Sequence, residues 1–193
     1  MTQAERRLFL IQALKDEQAE YRDLRVPRDA MGQRKLLRSL LNVRAPGAVG
    51  DDFLAVQDDY LQQALAEDGV TRAEDLSPVS GDLCLWQGDI TRLQCGAIVN
   101  AANSGLTGCY LPCHACIDNC IHTYAGIQLR QDCAALMAAQ GHAEPAGQAK
   151  ITRAYNLPCD YVLHTVGPIV EGPLTPEHER LLASCYRACL ALA

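Results

Sequence analysis

Residues 97–103 read Ala-Ile-Val-Asn-Ala-Ala-Asn, a short apolar run that ends in small residues and amide side chains. The apolar part is typical of a strand buried on both faces of a sheet. The small residues let the backbone approach a ligand closely, and the amides can both donate and accept hydrogen bonds. Ordinary loops contain the same residues, but open α/β sheets bind ligands at the carboxyl ends of their strands. Asn100, Ala102 and Asn103 are therefore candidate ligand-binding residues.

A turn precedes this run. Residues 86–91 read Trp-Gln-Gly-Asp-Ile-Thr and follow a strand candidate at Leu83–Trp86. Asp89 in such a turn is ordinarily a cap or an Asx-turn residue. Its functional interpretation is a carboxylate that accepts a hydrogen bond from a ligand amine.

The strongest local signal is a cluster of thiols and one imidazole downstream of the run. Residues 109–116 read Cys-Tyr-Leu-Pro-Cys-His-Ala-Cys. Cys109, His114 and Cys116 could close on one Zn²⁺, and Cys113 could replace one of them or add a fourth ligand. Four protein ligands would make a closed structural site, whereas three would leave a position for water or substrate. Ordinary buried thiols and a disulfide are alternatives that the spacing leaves open.

Asp118 follows the cluster directly. An Asp at the start of a helix is usually a cap. Next to a metal, its carboxylate can instead orient water or take a proton.

The rest of the C-terminal part alternates between strand and helix patterns. Ala149–Thr152 and Tyr161–Val166 are further strand candidates, whereas Ile117–Ala139 and Thr175–Ala193 have helical character. Strands joined by helices or long loops predict an α/β sheet with crossover connections.

Residues 1–80 predict three helices with apolar stripes, the second capped by Asp29 and the third by Asp51 or Asp52. No chemistry-bearing motif stands out among them. We interpret residues 1–80 as a helical extension that covers part of a main domain at 81–193.

Composition excludes several classes of protein. Apolar residues make up 49% of the 193, which is enough for a core and excludes general disorder. A net charge of −6 lacks the basic field of a nucleic-acid protein. Five of the ten cysteines fall between Cys109 and Cys133, a clustering that favours metal binding in a reducing compartment over a secreted disulfide scaffold. No apolar run is long enough to span a membrane. The apolar stretch after Arg6-Arg7 ends at Leu14 without a cleavage site, so we expect a cytoplasmic protein.

These residues resemble a known family. Gly88-Asp89-Ile90 followed by Ile98–Asn103 resembles the signature of macrodomains, which are ADP-ribose-binding modules. Residues 108–122 resemble the zinc-containing microbial macrodomains, which are ADP-ribosylhydrolases, and so do 148–168 and the N-terminal helices around 34–44. The resemblance implies a three-layer α/β/α fold with a mixed central sheet, preceded by the helical extension. The family continues into a second glycine-rich loop and further strands, so we expect C-terminal strands to be missing from this chain.

The resemblance also implies roles for individual residues. Asp89 would bind the adenine amine with the backbone of Ile90 beside it, and Asn103 would hold the distal ribose. Asp118 would lie near that ribose as the second catalytic residue. The expected zinc ligands are Cys109, His114 and Cys116, which leaves Cys113 as a spacer.

The expected function is zinc-dependent removal of mono-ADP-ribose from protein side chains, with ester linkages to acidic residues as the expected bond. Two alternatives are a non-catalytic ADP-ribose-binding module with structural zinc, and an inactive truncated paralogue. The expected partners are ADP-ribose or a mono-ADP-ribosylated protein, a lipoylated carrier protein among them. Nucleic acid and membranes are not expected partners.

Overall fold

The computed structural model describes residues 1–193. Its helices are α1 (Gln3–Glu17), α2 (Ala30–Val43), α3 (Asp51–Asp68), α4 (Ile117–Ala125), α5 (Ile127–Gln140) and α6 (Pro176–Leu192). Its strands are β1 (Thr71–Arg72), β2 (Pro78–Ser80), β3 (Leu83–Cys84), β4 (Leu93–Gln94), β5 (Ala97–Ala101), β6 (Ala149–Arg153) and β7 (Tyr161–Thr165). None of the helices is both long enough and apolar enough to cross a membrane.

The central sheet is mixed and has the order β5-β7-β6. β5 runs parallel to β7, and β6 runs antiparallel to it. The register places Asn100 beside His164 and Ile98 beside Val162. All four side chains are buried. Because side chains alternate along a strand, these four share one face of the sheet.

Helices pack on both faces of this sheet, although the second face is covered only in part, since Val99 and Tyr161 are 45% and 47% exposed there. The buried face of β5 and β7 packs against α4 and α5, and its apolar core includes Leu106, Ile121 and Leu129. On the other face, α6 contacts β6 and β7, and the Cys185 thiol bonds to the Val166 carbonyl. This arrangement confirms the predicted α/β class with a mixed sheet between helical layers.

The first three helices form a second apolar cluster. Leu10, Leu14, Leu37 and Phe53 pack together there, and Ile127 of α5 joins them. The helical prediction for the N-terminal part is therefore confirmed, and the cluster extends into α5 through Ile127. The boundary at residue 80 stays a prediction.

Helix ends follow local sequence in most places. Asp29 caps α2 as predicted, since its carboxylate accepts from the Gly32 N–H at 2.7 Å. The expected cap of α3 by Asp51 or Asp52 is wrong, because Gly50 is the N-cap and both acidic residues lie in the first turn. Acidic side chains there still favour the helix through its dipole.

The strand predicted at Leu83–Trp86 is only partly present. β3 ends at Cys84 and pairs with β2 in a separate two-stranded sheet. Leu83 and Leu85 are 70% and 84% exposed, so neither packs on the core. The main sheet consequently has three of the four strands suggested by the sequence. Asp89 does not lie at the carboxyl end of a strand of that sheet.

Candidate active site

The loop between β5 and α4 brings three candidate metal ligands together. The ligand atoms of Cys109, His114 and Cys116 all lie within 4.8 Å of one another. The Cys109 sulfur is 3.6 Å from His114 Nδ1. Zinc–sulfur and zinc–nitrogen bonds of ~2.3 and ~2.0 Å at a tetrahedral angle predict a sulfur–nitrogen separation of ~3.5 Å. The donor set and this spacing therefore fit a zinc ion.

Cys116 also begins α4, where its sulfur accepts from the Asn119 N–H at 3.4 Å. Burial raises the pKa of the Cys116 thiol, and the neighbouring Cys109 adds to the rise.

Cys113 lies apart from this cluster. Its sulfur is 3.2 Å from Ser39 Oγ and 3.4 Å from the Lys35 carbonyl, both on α2. The thiol is thus directed to α2, and the structure does not bring it into the set of Cys109, His114 and Cys116.

Asp118 forms the centre of a second cluster at the start of α4. Its Oδ1 accepts from Asn100 Nδ2 at 2.8 Å, and its Oδ2 accepts from Asn103 Nδ2 at 3.2 Å. The residue is 5% exposed. Burial raises the pKa of this carboxyl, while the Asn100 hydrogen bond and the Arg130 charge counter the rise. The structure therefore joins both predicted catalytic residues, Asn103 and Asp118, with the predicted ligand-binding Asn100.

Two histidines missed by the sequence analysis support this cluster. His122 lies one turn after Asp118 on α4, with Nε2 3.6 Å from Asp118 Oδ1. Neither of its buried ring nitrogens has a hydrogen-bond partner, and burial lowers its pKa well below the usual value. His164 Nδ1 is 3.1 Å from Asn100 Nδ2, and its Nε2 is 2.9 Å from Thr152 Oγ1. The i, i+4 spacing of Asp118 and His122 was the available signal, since such residues share a helix face.

His122, Cys133 and His164 form another group whose ligand atoms lie within 4.8 Å of one another. Both ring nitrogens of His164 are already paired, one with Asn100 and one with Thr152. We therefore interpret this group as a buried polar network behind Asp118.

Asp89 lies apart from Asp118. Its carboxylate caps the short 3₁₀ helix Ile90–Arg92 and accepts from the N–H and the hydroxyl of Thr91. It lines a cleft with Tyr124, near the end of α4, whereas Asp118 lies at the start of that helix. Positions 118 and 124 are six residues apart, which corresponds to ~9 Å along a helix axis. Ala102, the remaining candidate, donates its N–H to the Thr165 carbonyl at 3.0 Å.

Comparisons with known proteins connect this arrangement to one group. The family model described as Macro domain matches residues 99–193. The chain is 57% identical, over its whole length, to a protein-ADP-ribose hydrolase of Treponema medium and covers 76% of it. A Staphylococcus aureus protein of the same name is 47% identical over 96% of this chain, which covers 70% of it. A crystal structure of a Trypanosoma brucei macrodomain aligns at 31% identity with a TM-score of 0.56, covering 81% of this chain and 65% of that one.

Proposed function

The chain belongs to the macrodomain family, among the protein-ADP-ribose hydrolases, and from this premise we propose that it removes mono-ADP-ribose from protein side chains with the help of zinc. One observation carries the proposal. The buried Asp118 carboxylate, held by Asn100 and Asn103, lies in the first turn of α4, two residues after the end of the loop in which the thiols and the imidazole converge.

The zinc ligands are Cys109, His114 and Cys116, a choice supported by their mutual distances and by the position of the Cys113 thiol. A bound zinc ion would supply a Lewis acid with a fourth position for a ribose hydroxyl or a water.

Asp118 and Asn103 act on the distal ribose. Asn103 holds the sugar, and Asp118 accepts a proton from the attacking water on Oδ2, where its existing hydrogen bond is the longer of the two. The water oxygen bonds to the anomeric carbon, and the bond between that carbon and the side-chain oxygen breaks. The modified carboxylate leaves with the electron pair. Asn100 keeps Oδ1 in place during the transfer, which is an orientation effect.

Asp89 and the backbone of Ile90 bind the adenine end of the ligand. The Asp89 carboxylate is exposed in its cleft and can accept from an amine in addition to its bonds with Thr91. Remote binding of this kind contributes to catalysis only when it aligns the reacting atoms.

The substrate is a protein with ADP-ribose on acidic side chains, and a lipoylated carrier protein is one such substrate. The protein works in the cytoplasm. Its ten cysteines are all free, and thiolate ligands persist in a reducing compartment.

The test combines metal analysis, calorimetry with ADP-ribose and ADP-ribose release from a protein modified on acidic residues. Asp118→Ala should keep ADP-ribose binding within a few fold, because Asn103 keeps its bond to the Gly108 carbonyl, and should lower turnover at least about 100-fold, because the proton acceptor is lost. Cys116→Ala should lose both zinc and turnover, whereas the matched Cys113→Ala variant should keep both. Binding without cleavage by the zinc-loaded wild type would establish a binding module instead. Absence of heat with ADP-ribose would favour the inactive paralogue, and turnover by metal-free Cys116→Ala would reject the zinc mechanism.

A further inference from the structure

Two polar residues of α2, in the N-terminal helical part of the chain, contact the metal-binding loop, residues 108–116. Arg38 Nη2 donates to the His114 carbonyl at 2.8 Å and to Asn119 Oδ1 at 2.9 Å. Asn119 in turn donates to the carbonyls of Cys109 at 3.2 Å and Leu111 at 3.0 Å. Arg38 therefore holds one ligand residue directly and orients the amide that holds another.

Asn42 makes the second connection, one turn further along α2. Its Oδ1 accepts from the Cys113 N–H at 2.9 Å, and its Nδ2 donates to Thr123 Oγ1 at 2.9 Å. The Thr123 hydroxyl donates to the Asn119 carbonyl within α4. Asn42 is 1% exposed, so both bonds are formed away from bulk water. One side chain thus ties the loop, α2 and α4 together.

The loop needs such external contacts. It contains no regular helix or strand. Cys113 has a φ of +54°, a left-handed backbone conformation that residues other than glycine rarely adopt. Ordering a loop costs conformational entropy at every residue. Arg38 bonds to the backbone carbonyl of His114, and Asn42 bonds to the backbone N–H of Cys113, the residue before it. A change of backbone conformation at this point would move the His114 side chain, which is one of the ligands.

We propose that α2 is a positioning element for the metal-binding loop, and that Arg38 and Asn42 preset its backbone for the three-ligand zinc site. This inference rests on the proposed function, because it assumes that the chain binds zinc. It assigns a role to a helix that precedes the sheet in the chain, through contacts that hold the ligand residues without coordinating the metal. Residues behind the ligands commonly influence metal affinity about 10- to 100-fold.

The experiment compares Asn42→Ala with Gln33→Ala in the full chain. Gln33 is a buried amide on the same helix, bonded to Arg7 and to the Pro27 carbonyl, and it makes none of the contacts to the loop. Both variants lose buried hydrogen bonds, so both should unfold more easily. Only Asn42→Ala should speed zinc release to an excess of chelator, by about tenfold. Its cobalt-substituted form should also show an altered visible absorption spectrum, because the ligand geometry changes.

Arg38→Met is a second variant for the case that Asn42→Ala does not fold, since Arg38 is only half-buried. It too should release zinc several-fold faster than wild type. Equal release rates and cobalt spectra for wild type and the folded α2 variants would overturn the inference while leaving the proposed function intact. Equally fast release from Gln33→Ala would also overturn it, because the effect would then be one of general stability. Failure of the wild type to bind zinc would overturn both.

Discussion

Replacing His164 by glutamine should flatten the dependence of folding stability on pH between about 6.5 and about 4. His164 is fully buried, and burial lowers its pKa from 6.5 to about 4. Its Nδ1 faces the amide nitrogen of Asn100, so that ring nitrogen accepts a hydrogen bond. Protonation at Nδ1 would place two donors against each other. Glutamine is neutral at every pH in this range and can still accept and donate.

The size and the sign of this change in folding stability follow from proton linkage. Between the two pKa values the unfolded chain binds one proton at position 164 that the folded chain does not. The contribution of His164 to the free energy of unfolding is therefore fully present above pH 6.5, the pKa of histidine in the unfolded chain. It decreases as the pH falls towards about 4, the pKa in the folded chain. One proton corresponds to about 1.4 kcal/mol per pH unit, so the whole interval is worth about 3 kcal/mol.

Urea unfolding of metal-free wild type and His164→Gln between pH 7 and pH 4.5 measures this difference. The wild type should lose about 2 to 3 kcal/mol more than the variant over that interval, whatever their stabilities at pH 7. Replacement of His142, an exposed histidine, by glutamine serves as the control and should leave the wild-type curve unchanged. Parallel curves for wild type and His164→Gln would refute the reasoning, since they would mean that His164 takes up its proton equally in both states.

Three further substitutions test the packing around the site. Gly108→Ala would place a Cβ 2.8 Å from the His122 ring at a φ of +85°, so we expect a stability loss of about 1–3 kcal/mol and a lower rate of ADP-ribose release; an unchanged melting temperature together with wild-type turnover would contradict this. Asn100→Asp would put a second carboxylate against Asp118 Oδ1, so stability in urea should fall by about 2–4 kcal/mol at pH 7 and partly recover near pH 5, when the pair shares a proton. Recovery at higher pH instead would show that repulsion is not the cause. Leu37→Ala should cost about 2–5 kcal/mol in urea unfolding because the side chain is 2% exposed in the helical cluster, and a loss below 1 kcal/mol would mean that the cavity collapses.

Local patterns in the sequence predicted the parts of the molecule that local interactions determine. The helical periodicity and the cap at Asp29 predicted α2, because capping depends on residues three positions apart. The apolar run at 97–101 predicted the strand β5, but the expected burial of both its faces is wrong, because Val99 is 45% exposed and only Ile98 and Asn100 are buried. The spacing of Cys109, His114 and Cys116 placed three candidate ligands in one short loop, and the structure brings their ligand atoms within 4.8 Å of one another.

The strand at Leu83–Trp86 shows where such patterns fail. An apolar segment forms part of a sheet only when a neighbouring strand offers its backbone groups, and composition does not specify that neighbour. β3 instead pairs with β2, and Leu85 stays exposed.

Only the tertiary structure revealed the support of the site. Arg38 and His114 are 76 positions apart, and Asn42 and Cys113 are 71 apart, so no local spacing connects them. His164 reaches Asn100 across 64 positions through the pairing of β5 with β7. The sequence by itself thus determined which side chains are the candidates for the chemistry, since their residue types and their short spacing lie within one segment. The packing of α2 and β7 against that segment decided how those side chains are held, because contacts between distant parts of a chain depend on how its surfaces fit together.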